Sequence, residues 1–335
     1  MPLNCSTKFY KLLFLISLIA LSLVSAQNII PNSSAAEKGQ LTFVRNNNIW
    51  TANTDGNEQK QLTFSSQDRD PAFSPDGKFI AYTSGHNELT GFGNIYLIPV
   101  TGGTPKKLEL KGMRGSEHAH FSPDSKSLVF VGMTDVRVKK KEGYDMTYAT
   151  MSISIINLKT GKIKSIVSTK NVMLDAGYIF SSPSFSPDGK LIAYQHSGSD
   201  VSGGFSVIDL KGKSKFNFPK KSADPTPYWR PLFTSDGKNI LCYSPGTNEK
   251  EIDSIYLIDL SNGARKKILE GTNPTFVDNG RAIIFERWIN KWSPEGNAQS
   301  DLWHLELKKG AKPIKIIKNA SHPSGNFLSI VQPEK

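Results

Sequence analysis

Glu117-His118-Ala119-His120 is the run in this sequence best suited to chemistry. Alternate residues of a strand face one way, so His118 and His120 could share a Zn²⁺ or Mn²⁺ ion. Further ligands would come from Asp70, His196 or His322. The competing expectation is that both imidazoles are ordinary polar strand residues and that no cofactor is bound. Other reactive patterns are missing: there is no Gly-x-Ser-x-Gly, no phosphate-cradling glycine loop and no His-Glu-x-x-His. Asp55-Gly56 reads as a hairpin turn, without the spaced carboxylates that calcium needs. Cys242 lies in an apolar run and is expected to be a buried, inert thiol.

The frame that must hold these residues is a repeat. Phe73-Ser74-Pro75-Asp76-Gly77-Lys78 returns as Phe121-Ser122-Pro123-Asp124-Ser125-Lys126 and as Phe185-Ser186-Pro187-Asp188-Gly189-Lys190. Weaker copies begin at Phe233 and Phe276. Proline fixes φ, Asp satisfies turn amides and Gly supplies φ > 0, so each copy reads as strand, tight turn, strand. The anchor phenylalanines stand 48, 64, 48 and 43 residues apart. A period of that size built only of strands means a propeller or a similar array. Each copy is followed by a third strand (residues 94–98 or 254–258, for instance), a glycine turn and a short fourth strand. With the opening module at 41–63, the expectation is an all-β, six-bladed propeller of four-stranded blades.

The opening module lacks an innermost strand, and the tail 326–335 is expected to supply it, with Val331 laid on Phe73 and Pro333 on Pro75. A rival alignment sets Pro323-Ser324-Gly325 at the turn. In either case the C-terminal strand joins the N-terminal blade and closes the ring. The repeat also names the residues around the central channel. Three places before each anchor stand Asp70, His118, Ser182, Arg230 and Asn273, with Leu328 from the tail. One place earlier stand Arg69, Glu117, Ser181, Trp229, Thr272 and Phe327. Loops 85–93, 132–148, 197–204, 245–253 and 288–300 are long and irregular and open on this same face. Binding is usually built on such loops over a rigid frame. They include a basic insertion, 136–144, and the run Arg287-Trp288-Ile289-Asn290-Lys291-Trp292.

With five such turn motifs, the chain resembles the TolB-like six-bladed β-propellers over residues 39–335. The family's namesake also carries an N-terminal α/β domain and an extended N-terminus that engages partners; this sequence shows neither. The resemblance implies a non-enzymatic, exported propeller that binds another envelope or secreted protein. Its site residues would be Arg69, Asp70, Glu117, His118, Trp229, Arg230 and Asn273. Some related propellers use a histidine cluster, so the alternative is a metal-dependent lyase or hydrolase acting on a glycan or small substrate in the channel.

Composition narrows the partners. The chain of 335 residues carries 41 Lys and Arg against 30 Asp and Glu, a net charge of +11. An acidic partner suits that balance. No basic stripe is interleaved with aromatics, so nucleic acid is not expected. Residues 1–26 read as a secretory signal: Lys8 and Lys11, an apolar run 12–24 too short for a comfortable bilayer span, then Ser25-Ala26. Cleavage would remove Cys5 and leave no disulfide and no membrane span. Residues 27–38 read as a flexible leader, and the expected location is the periplasm or outside the cell.

Overall fold

Each Pro-Asp turn is built by its own side chains, as a computed structural model shows for residues 39–141, 144–174, 180–197, 203–219, 227–246, 252–290 and 299–326. Ser74 Oγ donates to Asp76 Oδ1 at 2.7 Å and accepts the Phe79 amide at 2.9 Å. Asp76 Oδ1 also takes the Lys78 amide at 3.1 Å. Gly77, at φ 71°, makes the left-handed step that closes the turn. Ser122–Asp124, Ser186–Asp188 and Thr234–Asp236 repeat the arrangement at 2.6 Å each. The hydroxyl is therefore a structural part of the motif. Replacing Ser186, which is buried, by Ala strands the Leu191 amide and frees Asp188. A loss of about 1–2 kcal/mol is expected, read as a lower urea midpoint at unchanged slope.

The turns join strands into six four-stranded antiparallel sheets. From the second sheet onward the inner strands are Asp68–Phe73, Gly115–Phe121, Phe180–Phe185, Trp229–Phe233 and Thr272–Val277. Each inner strand packs against the next around the ring. The anchors Phe73, Phe121, Phe185, Phe233 and Phe276 are all buried, and separate apolar clusters fill the wedges between neighbouring blades. Cys242 is buried in one of them, and burial pushes its thiol well above the ordinary range. Regular helix is almost absent: the 3-10 turn lying wholly within the described residues is Asp278–Gly280, in the weakest copy of the motif. Among the same residues no helix is long and apolar enough to cross a membrane.

Ring closure is achieved as expected, but by a different stretch of the C-terminal region. The first blade takes Ser321–Gly325 as its inner strand, beside Gln40–Arg45, Asn48–Asn53 and Lys60–Gln61. Leu41 pairs with Gly325, Thr42 with Ser324 and Val44 with Ser321. In the second blade Ile80 pairs with Phe73, Ala81 with Ala72 and Thr83 with Arg69. Gly325 therefore occupies the anchor position, and the alignment of Val331 on Phe73 is wrong. The physical reason lies in the available space. A Cβ at 325 would run into the Phe276 carbonyl and the Val277 side chain, so the sixth anchor has to be glycine. An alignment keyed on aromatics passes over it.

The third blade gives a second correction. Residues 132–141 and 144–148 are strand, not irregular loop. Ser127–Lys141 and Tyr144–Asn157 run on as one β-ribbon beyond the blade, paired as far as Lys141 with Tyr144. The alternation Val136-Arg137-Val138-Lys139 against Thr147-Tyr148 supports it, and Lys139 Nζ sits 5.1 Å above the Tyr148 ring. In the sixth blade, likewise, Ala282–Asn290 and Gln299–Glu306 extend into the span expected to be loop.

Candidate functional site

A bulge repeated in every inner strand creates the site. The register slips between Arg69 and Ala72, Glu117 and His120, Ser181 and Ser184, Trp229 and Leu232, and Thr272 and Thr275. One residue in each slip takes φ between 46° and 55°: Asp70, His118, Ser182, Arg230 and Asn273, with His322 at the matching place in the closing strand. Such a bulge breaks the alternation of the strand and re-aims a side chain. Here four of the six, Asp70, His118, Ser182 and Arg230, line the central channel. The sixth member of the ring is His322, not Leu328, and the residue before it is Ser321, not Phe327. Residues 327–335 lie outside the described residues.

Asp70 is the hub. Its Oδ1 lies 2.9 Å from Arg230 Nη2, across the channel, and 3.9 Å from His322 Nε2. Its Oδ2 lies 3.5 Å from His118 Nε2 and 3.9 Å from Arg69 Nε. Burial pushes this carboxyl upward, but His118, His322, Arg230 and Arg69 together reverse that and hold it at about 2. Arg69 reaches on to Glu117 Oε2 at 3.2 Å and donates to the Gly85 carbonyl at 2.9 Å, so it ties the mouth to the 85–93 loop. His118 Nδ1 is 3.4 Å from Glu117 Oε1, close enough for attraction but not aligned as a hydrogen bond.

A second hub was not legible in the repeat. Glu286, on the second strand of the sixth blade and fully buried, accepts Asn273 Nδ2 at 2.7 Å, the His322 amide at 2.6 Å and the Ser300 hydroxyl at 3.2 Å. Its position in the apolar run Ile283-Ile284-Phe285 hid it; a charged residue ending such a run is the only signal the sequence offers. Burial, with Arg230 adding to it, lowers the His322 pKa, while Glu286 and Asp70 pull the other way.

The site residues expected from the sequence thus fall into one network, apart from Trp229. That indole is edge-on to Tyr243 at 5.7 Å and over a third exposed. It stands beside the mouth on the long-loop face. His118 and His120 both line the channel but turn to different partners. His120 Nδ1 is 3.0 Å from the Phe121 carbonyl, and burial lowers its pKa to about 4, so the ring is neutral and donates there. Pro71, Pro183, Pro231, Pro274 and Pro323 line the same channel cavity, of about 160 Å³. That is room for a few waters or a small side chain.

A family model for the TolB beta propeller domain matches residues 39–232. Dipeptidyl-peptidase 5 of Porphyromonas gingivalis is 25% identical over 333 residues, covering 83% of this chain and 44% of that protein. The chain therefore spans less than half the length of this curated relative. Among solved structures, TolB from Acinetobacter baumannii matches with a TM-score of 0.60 at 20% identity, over 86% of this chain and 66% of the other. A chain of the nidogen/laminin complex matches with a TM-score of 0.57 at 11% identity, over 87% of this chain and 99% of that one. At such identities these structures share the fold alone.

Proposed function

The chain belongs to the TolB beta propeller domain family, and from that premise we propose that it is a non-enzymatic module that docks another envelope or secreted protein on its long-loop face. The observation that carries this reading is an asymmetry of the surface. Of eleven large apolar side chains exposed among the described residues, eight lie at the long-loop end of their blades: Phe64, Leu89, Val138, Met173, Trp229, Ile252, Trp288 and Ile289. Phe79, Leu307 and Ile314 alone lie toward the other face. Exposed apolar groups gathered on one side mark interaction surfaces, and tryptophans beside arginines supply much of the energy at such surfaces.

Both indoles are held ready. Trp288 Nε1 donates to Asp253 Oδ2 at 2.8 Å, and Trp229 rests on Tyr243. Little side-chain freedom is left to lose on binding. Asp70, Arg230, His118 and Arg69 would then act as a rigid floor, with the exposed part of the two guanidiniums steering an acidic partner. The reading of residues 1–26 as an export signal supports a location in the envelope or outside the cell.

The test is a pull-down from envelope extract with the wild type and Trp229→Ala/Trp288→Ala. Loss of two anchors of about 2 kcal/mol each weakens a real complex by more than a hundredfold. Proteins retained by the wild type should vanish with a double variant whose melting temperature is unchanged. Recovery of the same set by both would end the reading of this face.

A further inference from the structure

The outermost strand of the third blade differs from its five counterparts. Ile163–Met173 is 11 residues long, whereas the others have 2, 2, 5, 6 and 4. Short outer strands are a common way to keep a sheet edge from recruiting foreign strands. Here the edge is lengthened instead, with one bulge where Lys170 and Asn171 oppose Thr150 and Asn171 takes φ 57°, and it is backed by the strands Ser127–Lys141 and Tyr144–Asn157. The lower end is covered: Lys164 Nζ donates to the Leu210 carbonyl at 2.7 Å, and Gly212 comes close to the Ile166 carbonyl. From Val167 to Met173 no backbone hydrogen bond is made except to the ribbon, among the described residues.

We propose that Val167–Met173 is a docking edge that takes an extended, acidic segment of a partner protein as a fifth antiparallel strand. Charge selects the occupant. Lys170 stands exposed in the middle of the free edge. Arg137 donates to Asn171 at 2.8 Å, and Lys139 and Lys140 follow on the ribbon, against Asp135 and Asp145. A second copy of this chain is a poor occupant, because a two-fold pairing over 167–173 would centre on Lys170 and set it against itself. The lysine that keeps copies apart thus favours an acidic strand, with main-chain bonds supplying affinity and side chains selectivity. This edge is at the rim, separate from the mouth, and stands without the reading given for Trp229 and Trp288.

The probe is the labelled peptide Thr-Glu-Val-Glu-Thr-Glu-Val, alongside a version N-methylated at alternate amides and a version with Lys for Glu. Binding to the full chain by the first peptide alone is expected, with slowed amide exchange across 167–173. Lys170→Glu should weaken it about tenfold, and Trp229→Ala/Trp288→Ala should leave it unchanged. Equal binding of the N-methylated peptide would reduce the effect to unspecific charge and overturn the proposal. So would an absence of binding at millimolar peptide, or a wild-type dimer in sedimentation that protects the same amides.

Discussion

Ending the chain after Ala320 should abolish cooperative folding, whereas ending it after Asn326 should preserve it. The closing strand contributes few apolar side chains of its own, so its effect is felt through what it pairs and covers. It completes the ladder to Gln40–Arg45, the Asn326 amide donates to the Gln40 carbonyl at 2.9 Å, and Ser324 Oγ accepts the Phe73 amide from the next blade at 3.2 Å. On its other side the Gly325 amide donates to Thr275 Oγ1 at 3.1 Å. Without it, the wedge containing Leu41, Phe43, Val277 and Ile284 opens along one wall. Loss of several bonds of about 1 kcal/mol each, plus that exposure, is large against a total stability of roughly 5–15 kcal/mol. A subtler variant, Gly325→Val, forces a side chain into the Phe276 backbone and should cost about 3 kcal/mol. Thermal melts by circular dichroism decide both. A chain stopped at 320 that melts as sharply as the intact protein would refute the closure, and one stopped at 326 that fails to fold would reinstate a role for 327–335.

Asp70→Ala should be the most damaging single change at the mouth. It removes the one carboxylate shared by Arg230, His118, His322 and Arg69, leaving the partly buried Arg230 guanidinium without it and Arg69 with Glu117. Breaking a buried pair from one side costs about 3–5 kcal/mol. Adding Arg230→Met to Asp70→Ala should recover part of that, because the stranded charge is removed with its partner. The same carboxyl gives a pH signature. Its folded value of about 2 lies below the unfolded one of roughly 3.9, so its contribution is present above about pH 4 and is lost as pH falls toward 2. The difference in stability between wild type and Asp70→Asn should shrink by about 2 kcal/mol over that window in urea titrations. A difference that stays constant from pH 5 to pH 2 would show that the hub is not ionic.

The fold was legible because the Pro-Asp turn needs particular residues at fixed spacings, and those residues recur. The ring at the mouth was legible for the same reason, since Asp70, His118 and Arg230 stand at a constant offset from a buried phenylalanine. His322 was missed because its anchor is Gly325, which records a steric demand that hydrophobic patterning does not express. Glu286 was missed because it belongs to the second strand, where only the three-dimensional approach of Asn273, Ser300 and the His322 amide gives a buried carboxylate a purpose. Residues 132–148 read as loop in the sequence because their charges outnumber their apolar residues, while pairing of Ser127–Lys141 with Tyr144–Asn157 satisfies the backbone whatever the side chains.

The pairing of Leu41 with Gly325 also has a meaning in time. Ribosomes add roughly 5–20 residues per second, so the earliest strand waits on the order of tens of seconds for the neighbour that completes its sheet. Throughout synthesis that strand presents an open row of amides and carbonyls to whatever else is being made nearby. A cell producing this protein therefore has to shield its youngest-made and oldest-made ends together, and holdase dependence should track the first blade more than the five that complete themselves as they emerge.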